Sequence, residues 1–140
     1  MNRSRVIIAD SSQNLLEGIR GLLETEFDCV FMVADFESLI DAADKIGADL
    51  VVIDLSLGRN RLSDTISRIK KRFPGIKVLV MSIHDEKVAL EEAVSAGAEG
   101  FVLKRTAAND LIPAVRRILA GEKFFSVIKN KHEKVRIVDS

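Results

Sequence analysis

Four apolar runs in this chain close on residues that could share one piece of chemistry. Arg5-Val6-Ile7-Ile8-Ala9-Asp10 and Asp49-Leu50-Val51-Val52-Ile53-Asp54 each end on a carboxylate, 44 residues apart. Val78-Leu79-Val80-Met81-Ser82 ends on a hydroxyl, and Phe101-Val102-Leu103-Lys104 on an ammonium. Delivered to one edge of one sheet, the two acids make a small anionic, oxygen-rich site, and the other two add a hydroxyl and an amine. A polar residue after any single buried strand is ordinary, because the chain returns to water there. All four types arriving together are not ordinary.

The elements that must position them can be read from periodicity. The runs are rich in β-branched residues and lack polar alternation, as in strands buried on both faces of a parallel sheet. In such sheets ligands collect beyond the carboxyl ends of the strands. Strands are predicted near Val6 to Ala9, Cys29 to Val33, Leu50 to Asp54, Lys77 to Ser82 and Phe101 to Leu103. Helices alternate with them. The first runs from about Gln13 to Glu26 with Leu15, Leu16, Ile19, Leu22 and Leu23 at helical spacing and Ser11 or Ser12 as N-cap. The second is capped by Asp35, carries Leu39, Ile40, Ala43 and Ile46, and is closed by Gly47.

The third helix spans about Leu62 to Arg72 and stops before the turn signal Pro74-Gly75. The fourth spans Glu86 to Ser95, and the fifth Ala107 to Ala120 with Pro113 placed late in its first turn. Five βα units with short, right-handed crossovers predict a doubly wound three-layer α/β sandwich over residues 4–121. Past Gly121 the pattern breaks, and residues 122–140 are expected to be a linker, a short terminal helix or a disordered tail.

Composition narrows the function classes. The chain has 140 residues, one domain by length and enough to bury a core. With 21 basic and 21 acidic residues it has no bulk pull toward nucleic acid or membrane. The lone Cys29 excludes an internal disulfide and Cys-rich metal patterns, and its apolar surroundings suit a buried small side chain. No apolar stretch approaches the roughly 20 residues that cross a bilayer, and the first apolar run breaks at Asp10, too early for a signal peptide. A cytoplasmic protein with no membrane contact is expected.

The order and spacing of these runs resemble the receiver domain of two-component response regulators. The signposts are Val51-Val52-Ile53-Asp54-Leu55-Ser56, Val78-Leu79-Val80-Met81-Ser82 and Gly97-Ala98-Glu99-Gly100-Phe101-Val102-Leu103-Lys104. Ala120-Gly121-Glu122-Lys123-Phe124-Phe125-Ser126 further resembles the end of receivers that precede a helix-turn-helix DNA-binding domain. The resemblance implies a flavodoxin-like five-stranded sheet of order 2-1-3-4-5. It implies that Asp54 is a phosphoacceptor served by a sensor histidine kinase, a phosphotransfer protein or a small acyl phosphate, and not an enzyme's active centre.

Phosphoryl transfer rests on positioning and charge neutralisation. The family uses Mg²⁺, here with Asp10, Asp54 and the backbone carbonyl of Ser56 as ligands. Lys104 would pair with the phosphoryl oxygens, and Ser82 would donate to them and move inward. Phe101 stands where the family carries its aromatic switch residue. A face made by the fourth helix, fifth strand and fifth helix would be read by a partner or a second copy, with Val88, Leu90, Ala93 and Val94 as dimer-forming positions. DNA would be reached only through a domain absent from this chain, as in transcription regulation.

The sequence departs from the family in the ligand set and the loop after Asp54. The usual adjacent acids after the first strand read Asp10-Ser11, so Ser11 occupies a degenerate metal position. Two carboxylates and one lysine leave the empty site at −1, where a typical one has −2. Mg²⁺ binding is expected to weaken by ~1–2 kcal/mol, one charge-assisted contact, and to persist, since one or two carboxylates with water and phosphate commonly suffice. The segment Leu57-Gly58-Arg59-Asn60-Arg61-Leu62 lacks the family's Met-Pro pair, freeing the backbone around Ser56.

Ile83 is larger than the usual residue after the hydroxyl, and His84 falls where the family tunes phosphoryl lifetime. His132 carries no signal. The basic run Arg68, Lys70, Lys71 and Arg72 reads as a solvated helix face.

Two other readings compete. Ser11 and the altered loop would suit a receiver-like interaction module that works without phosphorylation. A haloacid-dehalogenase-type phosphatase would need a second acid two residues beyond Asp54, where this chain has Ser56. A dinucleotide fold would need a Gly-rich turn after the first strand, and Ala9-Asp10-Ser11-Ser12-Gln13-Asn14 has none.

Overall fold

A computed structural model describes residues 2–10, 13–54, 62–82, 87–130 and 133–139, with side chains described over 3–10, 18–54, 62–82 and 87–126. The expected caps Ser11 and Ser12, the Ser56 carbonyl, the loop 55–61, Ile83, His84 and His132 lie outside the described residues. Strands β1 (Asn2–Ala9), β2 (Phe27–Val33), β3 (Leu50–Asp54), β4 (Lys77–Ser82) and β5 (Gly100–Leu103) alternate with helices α1 (Gln13–Glu24), α2 (Phe36–Ile46), α3 (Leu62–Arg72), α4 (Lys87–Ser95) and α5 (Ala107–Leu119). A single 3-10 turn, Lys104–Thr106, joins β5 to α5. Two more strands follow, β6 (Lys123–Asn130) and β7 (Glu133–Asp139).

All seven strands belong to one sheet in the order β2-β1-β3-β4-β5-β6-β7, so the expected order 2-1-3-4-5 stands and the expected count of five does not. β5, α5 and β6 form a fifth βαβ crossover that adds β6 as a sixth parallel strand beside β5, and β7 folds back antiparallel. Residues 123–130 and 133–139, in the stretch expected as linker, helix or tail, therefore extend the sheet. The physical reason lies in Phe124 and Phe125. Strand side chains alternate faces, so this doublet plants one ring in each core layer, and both rings are buried.

That alternation runs through every parallel strand. Ile7, Val51, Ile53, Val78, Val80, Phe101 and Leu103 face α2, α3 and α4. Val6, Ile8, Leu50, Val52, Leu79, Met81 and Val102 face α1 and α5. Both faces are covered by helices, which is why the strands read as unbroken apolar runs.

Local chemistry sets the helix ends. Asp35 caps α2, its carboxylate accepting the Ser38 N–H at 2.7 Å. Gly47 ends the same helix at φ 71, a left-handed position that favours glycine, and its N–H donates to the Ala43 carbonyl. Pro113 is the seventh residue of α5, one turn deeper than expected, so the Asn109 carbonyl lacks its usual helical donor.

At the edge where strands begin, Lys70 of α3 pairs with Glu99, which also accepts the Val78 N–H at 2.7 Å. This ties α3, β4 and the start of β5 together, at the end of the sheet opposite the strand-terminal polar residues.

Candidate functional site

Strand register brings the four polar residues to one edge. Ala9 pairs with Ile53, Asp54 with Met81, and Ser82 with Leu103. Asp10 therefore emerges one residue past β1, level with Asp54, and Lys104 one residue past β5, one step beyond the level of Ser82. The Asp10 N–H donates to the Val33 carbonyl at 3.1 Å, fixing the carboxylate's root against the end of β2.

Lys104 draws the two aspartates together. Its Nζ donates to Asp54 Oδ2 at 2.6 Å and lies 3.7 Å from Asp10 Oδ2. The three side chains are 6%, 6% and 2% exposed, so this is a desolvated ion triad rather than a surface pair. Ser82, fully buried, stands on the neighbouring strand end. Two carboxylates around one ammonium leave the cluster at a formal −1, and buried charge of that kind is held only when paired. Such a site can offer a carboxylate oxygen as nucleophile, with a cation and a hydroxyl beside it to receive developing negative charge.

The donor set is thin but suited to Mg²⁺. Among the described residues, no group of three or more His, Cys, Asp or Glu could hold a metal ion. Asp10 and Asp54 nevertheless supply hard carboxylate oxygens on one edge, and Mg²⁺ is commonly bound through one or two carboxylates with the rest water and phosphate.

Phe101 is 1% exposed and packs in the layer that holds Ala89 and Ala93 of α4. Its register partner on the other side is Phe125 of β6. The face expected from α4, β5 and α5 is therefore not an open one, because β6 lies along the β5 edge. On α4, Val88 and Val94 are exposed at 69% and 46%, whereas Ala93 is buried and Leu90 packs against the core.

The basic run on α3 is largely engaged with this chain. Arg68 stacks on the Phe36 ring at 4.4 Å, Lys70 holds Glu99, and Arg72 reaches Asp44 at 3.4 Å. Cys29 is half-buried on β2. Among the described residues, no helix is long and apolar enough to cross a membrane.

One polar cluster near the site was not singled out from sequence. Asp110 in the first turn of α5 is fully buried, and its Oδ2 lies 2.9 Å from Thr106 Oγ1 and 3.1 Å from Ser126 Oγ. An acid in a first helical turn ordinarily reads as a surface residue favoured by the helix dipole. The available signal was Ser126 itself, a hydroxyl directly after two aromatic residues.

Comparison with known proteins follows the same lines. Residues 6–116 match the family model described as the response regulator receiver domain. The chain is 30% identical over 122 residues to the transcriptional regulatory protein DegU of Brevibacillus brevis, covering 86% of this chain and 52% of that protein. It is 34% identical over 130 residues to the transcriptional regulatory protein RcsB of Escherichia coli K12, covering 89% of this chain and 60% of that protein. The chain thus spans little more than half the length of the curated relatives it matches.

Among solved structures, it resembles the isolated receiver domain of RcsB from Salmonella enterica serovar Typhimurium, solved with the phosphomimetic BeF3⁻. That comparison has a TM-score of 0.81 at 31% identity and covers 89% of this chain and 94% of the other.

Proposed function

This chain belongs to the response regulator receiver family, and from that premise we propose that Asp54 accepts a phosphoryl group in two-component signalling. The donor would be the phosphohistidine of a sensor kinase or phosphotransfer protein, or a small acyl phosphate. The observation that carries the reading is the buried triad: Lys104 Nζ at 2.6 Å from Asp54 and 3.7 Å from Asp10. Asp54 is the carboxylate that the cation orients most closely, at the end of β3, an interior strand between β1 and β4.

In the transfer, an Asp54 carboxylate oxygen bonds to phosphorus as the bond from phosphorus to the donor's imidazole nitrogen breaks, giving an acyl phosphate. The ammonium of Lys104 then exchanges a carboxylate oxygen for phosphoryl oxygens, a charge-assisted contact. The Ser82 hydroxyl, on the adjoining strand end, donates to the same oxygens. Asp10 stays as the second carboxylate and keeps the site selective for a cation. Receiver domains generally bind Mg²⁺ at acidic residues. When bound, the ion neutralises charge on the transferring group, and Asp10 and Asp54 are the described residues that would hold it, with Ser56 and Ser11 as further sequence candidates.

The signalling output on this proposal is a shift between two packings around Phe101, following Ser82. Its readers are a partner protein or a second copy at the α4, β5 and α5 face. Action on DNA belongs to sequence outside the receiver fold.

Thermal unfolding of the full chain with Mg²⁺ and beryllofluoride tests the proposal. A rise in Tm that needs both components and vanishes in Asp54→Asn is expected. No shift at millimolar concentrations would overturn it.

A further inference from the structure

The β5 edge, which a partner would need, is occupied by the chain's own β6. Lys123–Asn130 runs parallel to β5, with Gly100 opposite Phe124 and Phe101 opposite Phe125. Those two pairs are the whole register of the junction among the described residues, against four pairs between β4 and β5. The junction is therefore the thinnest in the parallel part of the sheet. Buried rings on both faces and one buried polar node hold it.

The node is the Asp110 carboxylate. Ser126 Oγ of β6 donates to its Oδ2 at 3.1 Å, and the Thr106 hydroxyl lies 2.9 Å from the same oxygen and 3.2 Å from the Leu103 carbonyl. Thr106 closes the three-residue turn that Lys104 opens. A continuous chain of polar contacts and one short turn thus runs from Asp54 through Lys104 and Thr106 to Asp110 and Ser126.

We propose that the β6–β7 hairpin is an intramolecular strap over the face of α4, β5 and α5, held by the Asp110 catch and loosened when Lys104 re-pairs. Movement of the Lys104 ammonium from a carboxylate to a larger phosphoryl group shifts the turn that carries Thr106. Thr106 and Ser126 share one carboxylate oxygen, so displacement of the first alters the second. Release uncovers the β5 backbone edge and the apolar seats of Phe124 and Phe125, the kind of surface that accepts an added strand. The trigger rests on the phosphoacceptor reading above; the strap itself does not.

Hydrogen exchange by mass spectrometry on the full chain separates the two. Ser126→Ala, without any mimic, should speed exchange of the β6 amides about tenfold, the loss of one hydrogen bond to a charged acceptor. In the unaltered chain, Mg²⁺ with beryllofluoride should speed the same amides, and Thr106→Val should abolish that response. Stabilisation by the mimic with unchanged β6 exchange would overturn the coupling. Absence of stabilisation would refute the phosphoacceptor reading and the trigger together. The strap would then stand or fall on Ser126→Ala alone: faster β6 exchange supports it, and unchanged exchange overturns it.

Discussion

Replacing Lys104 with methionine should destabilise the fold more than any single change to the two aspartates beside it, and Mg²⁺ should repair much of the damage. Lys104 Nζ lies 2.6 Å from Asp54 and 3.7 Å from Asp10, with all three side chains nearly buried. At an effective dielectric of about 20 those separations correspond to gross attractions of about 6 and about 4.5 kcal/mol. Desolvation offsets most of that sum while the triad is intact. Removing the cation strands two buried carboxylates, and breaking a buried pair in this way costs about 3–5 kcal/mol.

For a chain of this size that corresponds to a fall in Tm of about 10–17 °C. Asp10→Asn, by contrast, leaves one ammonium against one carboxylate and should stay within about 1 kcal/mol of the starting chain. Far-UV circular dichroism is the assay, because the chain has no Trp or Tyr to report by fluorescence. Adding Mg²⁺ should raise the Tm of Lys104→Met by more than it raises that of the unaltered chain, since the ion then takes the place of the ammonium beside the two carboxylates. Equal Tm values for Lys104→Met and the unaltered chain, or equal Mg²⁺ responses, would refute the electrostatic account of the triad.

Other outcomes can be checked with the same means. A Cβ on Gly100 would sit 2.5 Å from both Ile118 Cδ1 and Leu79 Cδ1 and 3.2 Å from the Phe124 carbonyl oxygen. Gly100→Ala should therefore cost about 1–3 kcal/mol through overpacking, and a neutral urea midpoint would show that the two side chains yield freely. Hydrogen bonding from Arg116 holds the Glu26 carboxyl below its ordinary 4.5, against an opposing effect of burial and with a smaller contribution from the Arg116 charge. A depressed folded-state pKa contributes stability that is full above the unfolded value and lost as pH falls through the folded one. The stability gap between the unaltered chain and Glu26→Gln should thus shrink on acidification below pH 4.5, and a gap that widens in acid would contradict the sign. Ser11→Asp should tighten Mg²⁺ binding by ~1–2 kcal/mol, one charge-assisted contact; unchanged affinity by calorimetric titration would show that this position does not serve the ion.

Most of the site could be read from sequence because strands covered on both faces leave no polar alternation, so their polar ends stand out. β3, α3 and β4 match expectation at both ends, where Asp54, Pro74-Gly75 and Ser82 mark sharp changes of composition. The pairing of Lys104 with both aspartates was not legible, since sequence places residues at an edge without saying which side chains meet. β6 and β7 escaped for a different reason. An adjacent Phe124-Phe125 breaks the alternation expected of a half-exposed strand, yet it suits one buried on both faces. The antiparallel return into β7 has no crossover helix to announce it. Asp110 and Ser126 were hidden because a polar residue in a helix or strand declares its type and not its burial.

The central claim is that Asp54 is a phosphoacceptor. Intact-mass and peptide-mapping measurements after incubation with acetyl phosphate and Mg²⁺ test it most directly. The account predicts one added phosphoryl group per chain, mapped to the peptide that holds Asp54 and absent from Asp54→Asn. A label that persists in Asp54→Asn, or a chain that takes none, would contradict it.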